Sequence, residues 1–148
     1  MFFGDFEEAT GQTYLSRRRT ITETDLVMFT QLTGITDPVF TDDIFAREQL
    51  FGGRVVPGPL VLTYALGMTD DLGFGAVLAA LAIDNARFVH PVRPSDTITV
   101  ETTVANARAS ASRPDAGIVT LAHRVFNQDG TTVQSFERTL LIRRDPAA

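Results

Sequence analysis

The sequence predicts an α+β fold in which helices come ahead of a run of antiparallel strands. Two observations support this prediction. A segment of helical length near the middle of the chain, Leu60–Leu72, is apolar almost all round, and β-rich segments follow it. The last two of those segments are separated by Gln128-Asp129-Gly130-Thr131, and Asp-Gly is typical of tight hairpins. At 148 residues, the chain is expected to form a single domain, residues 1–148.

The first third of the chain is expected to hold one strand and two helices. Thr13–Ile21 alternates loosely, which favours an edge-like strand. Thr22 precedes a run with helical apolar spacing and acidic residues in its first turn, so it is a candidate N-cap, and Gly34 is a candidate stop. Asp42 or Asp43 then suits the N-terminus of a short helix that runs through Glu48.

The apolar segment Leu60–Leu72 is expected to form a buried helix. Pro59 suits its first turn, where a missing N–H costs nothing, and Gly73 suits its C-terminus. The strands expected after it are Val77–Ile83 with Ala86–Val89 as one long or broken strand, then Thr97–Ala107, Ile118–Asn127 and Thr132–Arg143.

Composition excludes several classes of function. The net charge is −5, whereas a protein that binds nucleic acid normally carries a basic face. The chain has no cysteine for a thiolate metal site and no lysine for Schiff-base chemistry. No apolar run approaches the ~20 residues of a membrane span, and the acidic N-terminus is unlike a secretory signal. We therefore expect a cytoplasmic protein with no nucleic-acid partner, no membrane partner and no metal.

Residues 32–42, with Ala46 beyond them, resemble the signature of the MaoC-like (R)-specific enoyl-CoA hydratases. That signature reads Thr/Ser-Gly-Asp-x-Asn-Pro-Leu-His, then five residues and Ala or Ser. Gly34, Pro38 and Ala46 match it. The family's catalytic Asp falls on Ile35, its catalytic His on Phe40 and its Asn on Asp37.

Two further segments strengthen the resemblance. Residues 86–96 are similar to the family's Arg-Phe-x-x-Pro-Val-x-Pro-Gly-Asp, with Ser95 in place of Gly. Residues 51–58 are similar to Phe-Gly-Gly-Arg-Ile-Ala-His-Gly, with Pro57 in place of His. The resemblance implies a hotdog fold, in which a curved antiparallel sheet wraps one long helix, here Leu60–Leu72.

The resemblance also implies a site for an acyl thioester. In such hydratases, backbone N–H groups at the N-terminus of the central helix stabilise an enolate oxygen, a role that falls here on Gly58. The alternative is that Gly58 only permits the turn. Ile35 and Phe40 cannot carry a proton, so Asp37 is the best catalytic substitute in the loop. The alternative for Asp37 is a structural one, because Asp before Pro is a common turn former.

Other residues are candidates for substrate binding. The apolar candidates are Ile35, Phe40, Phe51 and Val56, and Tyr64 is a polar one on the central helix. Arg54 and Arg93 are candidates for the phosphates of coenzyme A or of a carrier-protein arm. The two histidines are weaker candidates than Asp37 for the missing proton carrier: His90 is expected on the surface or facing the sheet, and His123 in the core or at a dimer interface.

Three functions remain open at this point, the last in rank being a thioesterase in which Asp37 acts on a water molecule. The first is a hydratase or dehydratase of acyl-CoA or acyl-carrier-protein substrates with an atypical acid/base site, and an enzyme of this kind is expected to be a homodimer. The second is a protein that binds an acyl or polyketide ligand in an apolar pocket without hydrating it, as a silent subunit of a heterodimer or as a biosynthetic enzyme. None of the three requires a cofactor beyond the coenzyme A or phosphopantetheine that belongs to the substrate.

Overall fold

The strands of the protein form one antiparallel sheet of six strands, described in a computed structural model that covers residues 1–70, 73 and 76–147. The strands are β1 Thr13–Leu15, β2 Arg19–Thr20, β3 Val77–Phe88, β4 Thr97–Ala109, β5 Ala116–Phe126 and β6 Thr132–Arg143. Their order in the sheet is β1-β4-β5-β6-β3, and β2 also pairs with β4. The predicted α+β class is confirmed.

Five helices accompany the sheet in the described ranges: α1 Phe3–Glu8, α2 Glu23–Thr33, α3 Pro38–Thr41, α4 Asp43–Arg47 and α5 Gly58–Asp70. The predicted caps of α2 are confirmed. The Thr22 hydroxyl accepts a hydrogen bond from the Asp25 N–H, the Asp25 carboxylate accepts one from the Thr22 N–H, and Gly34 ends the helix at a φ of 75°. Asp42, one of the two proposed caps, accepts from the N–H groups of Ile44 and Phe45.

The predicted hairpin between β5 and β6 is also confirmed. Gly130 adopts a φ of 77°, a left-handed conformation that favours glycine. Asn127 completes the turn, because its side-chain oxygen accepts from the N–H groups of Asp129 and Thr131, each at 3.0 Å.

Three predictions about the elements need correction. The first strand breaks into β1 and β2, and α1 was not expected. The central helix begins at Gly58 rather than at Pro59 or Leu60, and the predicted end at Leu72 lies outside the described residues. Only one side of α5 is buried in the single chain, through Leu60, Val61, Ala65 and Thr69, while Thr63 and Gly67 are exposed.

Two clusters of buried side chains hold these elements together. One packs α5 against the sheet and contains Leu60, Val61 and Ala65 with Val125 and Phe136 of the strands. The other packs the two phenylalanines of α1, Phe3 and Phe6, against apolar residues of β4, β5 and β6. The first cluster fixes the N-terminus of α5 against the sheet, where the cavity described next is found. No helix in the described ranges is long and apolar enough to cross a membrane.

Candidate active site

A cavity of about 290 Å³ opens beside the N-terminus of α5. Its walls come from the loop before α5, from the first turn of that helix, from the end of β3 and the segment after it, and from the start of β6. The lining residues are Phe40, Phe51, Val55, Val56, Gly58, Pro59, Val61, Phe88, Val89, His90, Pro91, Val92, Val133 and Gln134. The lining is predominantly apolar, with few polar groups, as in most sites for small organic ligands.

Gly58 supplies a backbone donor at the cavity wall. Its N–H is one of the first-turn groups that have no partner inside the helix, and among the described residues it has no other acceptor. Pro57 and Pro59 on either side have no N–H to donate. The partial positive charge of the helix N-terminus adds to this single donor. An oxygen that gains negative charge in the cavity would therefore be stabilised at Gly58.

Gly58 is also required sterically in this arrangement. A Cβ atom built at this position would lie 2.4 Å from the ring of Phe88, well inside van der Waals contact. The two sequence interpretations of Gly58, a ligand contact and a residue that permits the fold, are therefore compatible. The absence of a side chain lets the Phe88 ring approach the helix, and the backbone N–H remains available.

The loop that resembles the hydratase signature contributes one residue to the lining. Phe40, at the position of the family's catalytic His, lies in the cavity wall with Phe51. Ile35 is half-buried outside the lining residues. Asp37 is exposed at the N-terminus of α3, also outside the lining residues.

The two arginines proposed for phosphate binding make contacts within the chain. Arg54 donates to Glu23 and to Asp43, with nitrogen–oxygen distances of 2.6 Å in both cases. These two hydrogen bonds raise the pKa of Arg54, and the bond to Glu23 has the larger effect. Arg93 donates to the backbone oxygens of Phe51 and Arg54 and so holds the loop ahead of α5. Arg93 thereby contacts the backbone of Phe51, a lining residue, and neither arginine is itself among the described lining residues.

Tyr64 lies on another face of α5, in a recess shared with Arg17, Arg18 and Arg19. Its hydroxyl donates to the Asp25 carboxylate at 2.6 Å, and the guanidinium of Arg19 lies 3.8 Å from the centre of its ring. Burial, followed by the hydrogen bond to Asp25, raises the pKa of Tyr64. The structure thus gives Tyr64 a partner within the chain and does not bring it to the cavity.

The cavity contains two polar side chains, Gln134, which sequence reasoning missed, and His90, which it ranked as a weaker candidate. Gln134 is 1 % exposed, and neither its Nε2 nor its Oε1 has a hydrogen-bond partner among the described residues. His90 is exposed, and its Nδ1 lies 2.9 Å from the Pro91 oxygen. A carbonyl only accepts, so Nδ1 donates in this contact, and in the neutral imidazole Nε2 is then the acceptor. Of the described lining residues, His90 alone has an ionisable side chain.

His123, the other histidine, lies in the core away from the cavity lining. It is 3 % exposed, its Nδ1 lies 3.0 Å from the Thr102 hydroxyl, and its ring stacks on Phe136 with centroids 4.6 Å apart. Burial, with a smaller effect from the charge of Arg138, lowers the pKa of His123 to about 4. The inward orientation expected from strand alternation is confirmed. In the described part of the chain, no group of three or more His, Asp or Glu residues is arranged to hold a metal ion.

Residues 5–125 match the family model of the MaoC like domain. This chain belongs to the MaoC-like family. Over 99 residues it is 42 % identical to Protein MaoC of Klebsiella aerogenes. The matched region is 66 % of this chain and 30 % of that protein. Over 115 residues it is 35 % identical to mesaconyl-CoA hydratase of Haloarcula marismortui, covering 76 % of this chain and 32 % of that protein. The MaoC-like chain thus spans about a third of the length of these curated relatives.

A shorter relative and two solved structures are also similar to this chain. The 3-hydroxyacyl-[acyl-carrier-protein] dehydratase FabZ of Caulobacter vibrioides is 39 % identical over 80 residues, 49 % of this chain and 50 % of FabZ. The monoamine oxidase regulatory protein from Archaeoglobus fulgius superposes with a TM-score of 0.90 at 33 % identity, over 99 % of this chain and 96 % of that one. A double-hotdog protein of Mycobacterium tuberculosis, Rv0216, superposes with a TM-score of 0.89 at 20 % identity, over 100 % of this chain and 46 % of that one. The predicted hotdog fold is confirmed.

Proposed function

We propose that this MaoC-like chain binds an acyl thioester and catalyses the reversible hydration of a 2-enoyl group or dehydration of a 3-hydroxyacyl group. The observation that carries the proposal is the unpaired N–H of Gly58 at the N-terminus of α5, in the wall of an apolar cavity. The thioester oxygen accepts from that N–H, and the acyl chain lies among the apolar side chains. Such a donor, aimed at developing charge, contributes on the order of 3 kcal/mol to a transition state.

In the dehydration direction a base removes a proton from C2 of the acyl group. The electron pair moves to the thioester carbonyl, and the resulting enolate oxygen is stabilised by Gly58. As the enolate collapses, the C2–C3 double bond forms, the C3–O bond breaks, and the hydroxyl group leaves with a proton as water. Hydration is the reverse sequence, so one group can serve in turn as base and acid.

The proton carrier in this proposal is His90. It is ionisable, it lies in the cavity wall, and its Nε2 is oriented as an acceptor by the contact between Nδ1 and Pro91. Asp37, the carrier expected from the sequence, is exposed outside the lining residues and remains the alternative. Its loop and the neighbouring Phe40 would have to move for it to reach a substrate.

The proposed substrate class is based on the substrates of related proteins. Mesaconyl-CoA hydratase acts on a coenzyme A thioester and FabZ on a carrier-protein thioester, so both carriers belong to the proposal for this chain. The coenzyme A or phosphopantetheine arm enters as part of the substrate. No separate cofactor is proposed.

The test is to supply crotonyl-CoA and longer 2-enoyl-CoAs and to follow the loss of the conjugated enoyl absorbance. Turnover by the native chain is expected, with a loss of about 10²–10⁴-fold in His90→Gln and little change in Asp37→Asn. The reverse pattern would assign proton transfer to Asp37. No turnover at any chain length, with tight binding of the same thioesters, would exclude the hydratase function.

A second candidate is supported by the lining itself. Aromatic Phe40 lies in the lining at the position of the family's catalytic His, beside Phe51, which favours a protein that binds an acyl or polyketide ligand without hydrating it. The decisive variant is the double substitution Ile35→Asp with Phe40→His. If hydration of crotonyl-CoA appears in that variant and is absent from the native chain, the native site binds its ligand without hydrating it.

The proposal includes a dimer formed through β3. This strand pairs with β6 along one edge, and no strand of the described residues pairs with its other edge. Apolar side chains are exposed along it and just beyond it, namely Val77, Leu81, Ile83, Phe88 and Val89. A second copy of this chain is the proposed partner, and another hotdog subunit is the alternative. Because Phe88 and Val89 also line the cavity, a partner there would cover part of the site.

A further inference from the structure

Gln134 carries the one buried side-chain amide in the described cavity lining that lacks hydrogen bonds on both its oxygen and its nitrogen. The residue is 1 % exposed, so bulk water does not satisfy these atoms. A buried donor or acceptor left unpaired costs about 1–3 kcal/mol. An apolar side chain of similar size would avoid this cost, so the amide requires an explanation beyond packing.

The position of Gln134 in the sheet places it close to Gly58. In the register of β6, Gln134 lies opposite Val125 on β5 and opposite Phe88 on β3. These neighbours are apolar and offer no side-chain hydrogen bond. The Phe88 ring in turn contacts Gly58. Directly opposed residues on adjacent strands have Cβ atoms about 5 Å apart. Gln134 is therefore separated from the proposed thioester position by the width of one side chain.

The chemistry of the amide defines the ligand group that fits it. A glutamine side chain both donates and accepts, and it is neutral. It suits a neutral hydroxyl or carbonyl group better than a carboxylate, which would need a cation, and none of the described lining residues is an arginine. The separation from Gly58 corresponds to a substituent a few bonds from the thioester carbonyl.

We infer that Gln134 is a specificity-determining residue that hydrogen-bonds a hydroxyl or carbonyl oxygen on C3 of the acyl chain. The inference rests on the proposed function, because it assumes a thioester at Gly58. It adds a substrate preference, namely acyl groups oxygenated at C3 over saturated alkyl chains of the same length. It also accounts for a polar residue in the wall of an otherwise apolar cavity.

The test compares binding of acetoacetyl-CoA and butyryl-CoA by calorimetry. The two differ in the C3 oxygen, and neither has a C3 hydroxyl to eliminate. The native chain is expected to bind acetoacetyl-CoA about tenfold more tightly, which corresponds to one hydrogen bond to a buried neutral group. In Gln134→Met, a substitution of similar volume, the two dissociation constants should become equal. Gln134→Asn keeps an amide but shortens it, and should also lose the preference.

A urea-unfolding measurement on Gln134→Met separates this role from a structural one. An amide that serves the ligand has no partner in the free protein, so its removal should leave stability unchanged or raise it. A large loss of stability with the acetoacetyl-CoA preference intact would overturn the inference. Equal binding of the two thioesters by the native chain would overturn it as well and leave the proposed function standing. Failure of the native chain to bind either thioester would overturn both.

Discussion

His123 is a buried imidazole that the fold keeps neutral. Burial lowers its pKa from 6.5 to about 4, so the folded chain resists its protonation while the unfolded chain does not. The stability that this neutral imidazole contributes is therefore fully present above pH 6.5. It is lost as the pH falls from there toward 4, by about 3 kcal/mol in total at 1.36 kcal/mol for each unit of pKa.

We predict that urea unfolding at a series of pH values will show this loss and that His123→Gln will flatten it. The matched control is His90→Gln, which removes the other histidine, an exposed one, and in which the loss of stability assigned to His123 should persist. The carboxylates whose pKa is lowered, such as Glu101 beside Arg124, lose their stabilising effect below the ordinary value of 4.5, so the interval from pH 6.5 to 4.5 reports on His123. A profile that is equally steep in His123→Gln would contradict the prediction.

Gly58 and Gly67 lie in the same helix, but alanine substitutions at the two positions are expected to have opposite effects on stability. A methyl group at Gly58 meets the Phe88 ring, whereas one at Gly67 has no atom within 4 Å. Because Phe88 is 64 % exposed, its ring can move outward, so Gly58→Ala is expected to cost at most about 1 kcal/mol of stability. The displaced ring changes the cavity, and kcat/KM for 2-enoyl-CoA should fall at least tenfold. Gly67→Ala should stabilise the helix by about 0.5–1 kcal/mol and leave turnover unchanged; a similar loss of turnover in both variants would be evidence against a role for Gly58.

At the scale of elements, Asp25 joins α2 to α5 and to β2. Its carboxylate accepts from the Tyr64 hydroxyl at 2.6 Å and from the Thr22 N–H at 2.7 Å, and it pairs with Arg19 at 3.4 Å. Burial raises the pKa of Asp25, but the hydrogen bonds from Tyr64 and Thr22 and the charge of Arg19 together hold it below its ordinary value. The contact orients α2, and with it the loop that leads to Phe40.

Tyr64→Phe removes one charge-assisted hydrogen bond from this junction and should lower stability by about 1.5–3 kcal/mol. The same change should raise the pKa of Asp25, as followed by NMR titration, because the Tyr64 bond lowers it. Turnover should fall less than in Gly58→Ala, since Tyr64 lies outside the cavity lining. An unchanged Asp25 titration would show that the hydroxyl does not bind this carboxylate in solution.

Elements with strong local signals were predictable, and those that depend on tertiary contacts were not. The Thr22 cap, the Gly34 stop and the turn before Thr132 each carry their signal in a few adjacent residues. Helix α1 has six residues, and its local signal is limited to Asp5, whose carboxylate accepts from the Phe2 N–H. It forms because Phe3 and Phe6 are buried against the sheet, where Gly117 leaves room for the Phe3 ring.

The candidate site was also predictable only in part, because tertiary contacts bring some of its residues together. The resemblance of two segments to the hydratase family identified Phe40, Phe51, Val56 and Gly58, all of which line the cavity. Gln134 shares strand parity with Phe136, Leu140 and Ile142, which are buried, so alternation indicated its inward direction. The polarity of the Gln134 side chain, in contrast, favours an outward, solvent-facing position. Only the register of β6 with β3 shows that it lies beside the cavity.

At the scale of the whole molecule, β3 is a long and largely apolar edge strand. Natural edge strands are often short or carry charged residues, proline or β-bulges, which discourage pairing with another chain. Strand β3 has 12 residues and neither lysine nor proline, and Val77–Ile83 is apolar throughout; Asp84, Arg87 and the shifts in its register with β6 give it only partial protection. Its register places Ile83 and Phe88 opposite Arg138 and Gln134, on the face of the sheet that carries the cavity. Pairing of two copies along this edge would bury those side chains and extend the sheet across a two-fold axis.

We predict that the native chain sediments as a dimer and that Leu81→Lys weakens the dimer at least tenfold, because a twofold interface receives the new charge twice. Leu81 is 50 % exposed on β3, and Leu15, 59 % exposed on the opposite edge strand β1, provides the matched control. Leu15→Lys should leave the sedimenting mass unchanged. Since Phe88 and Val89 line the cavity near this edge, turnover should fall with the dimer as Leu81→Lys is diluted. A native monomer, or a dimer that tolerates both substitutions equally, would place the exposed face of β3 outside any interface between copies.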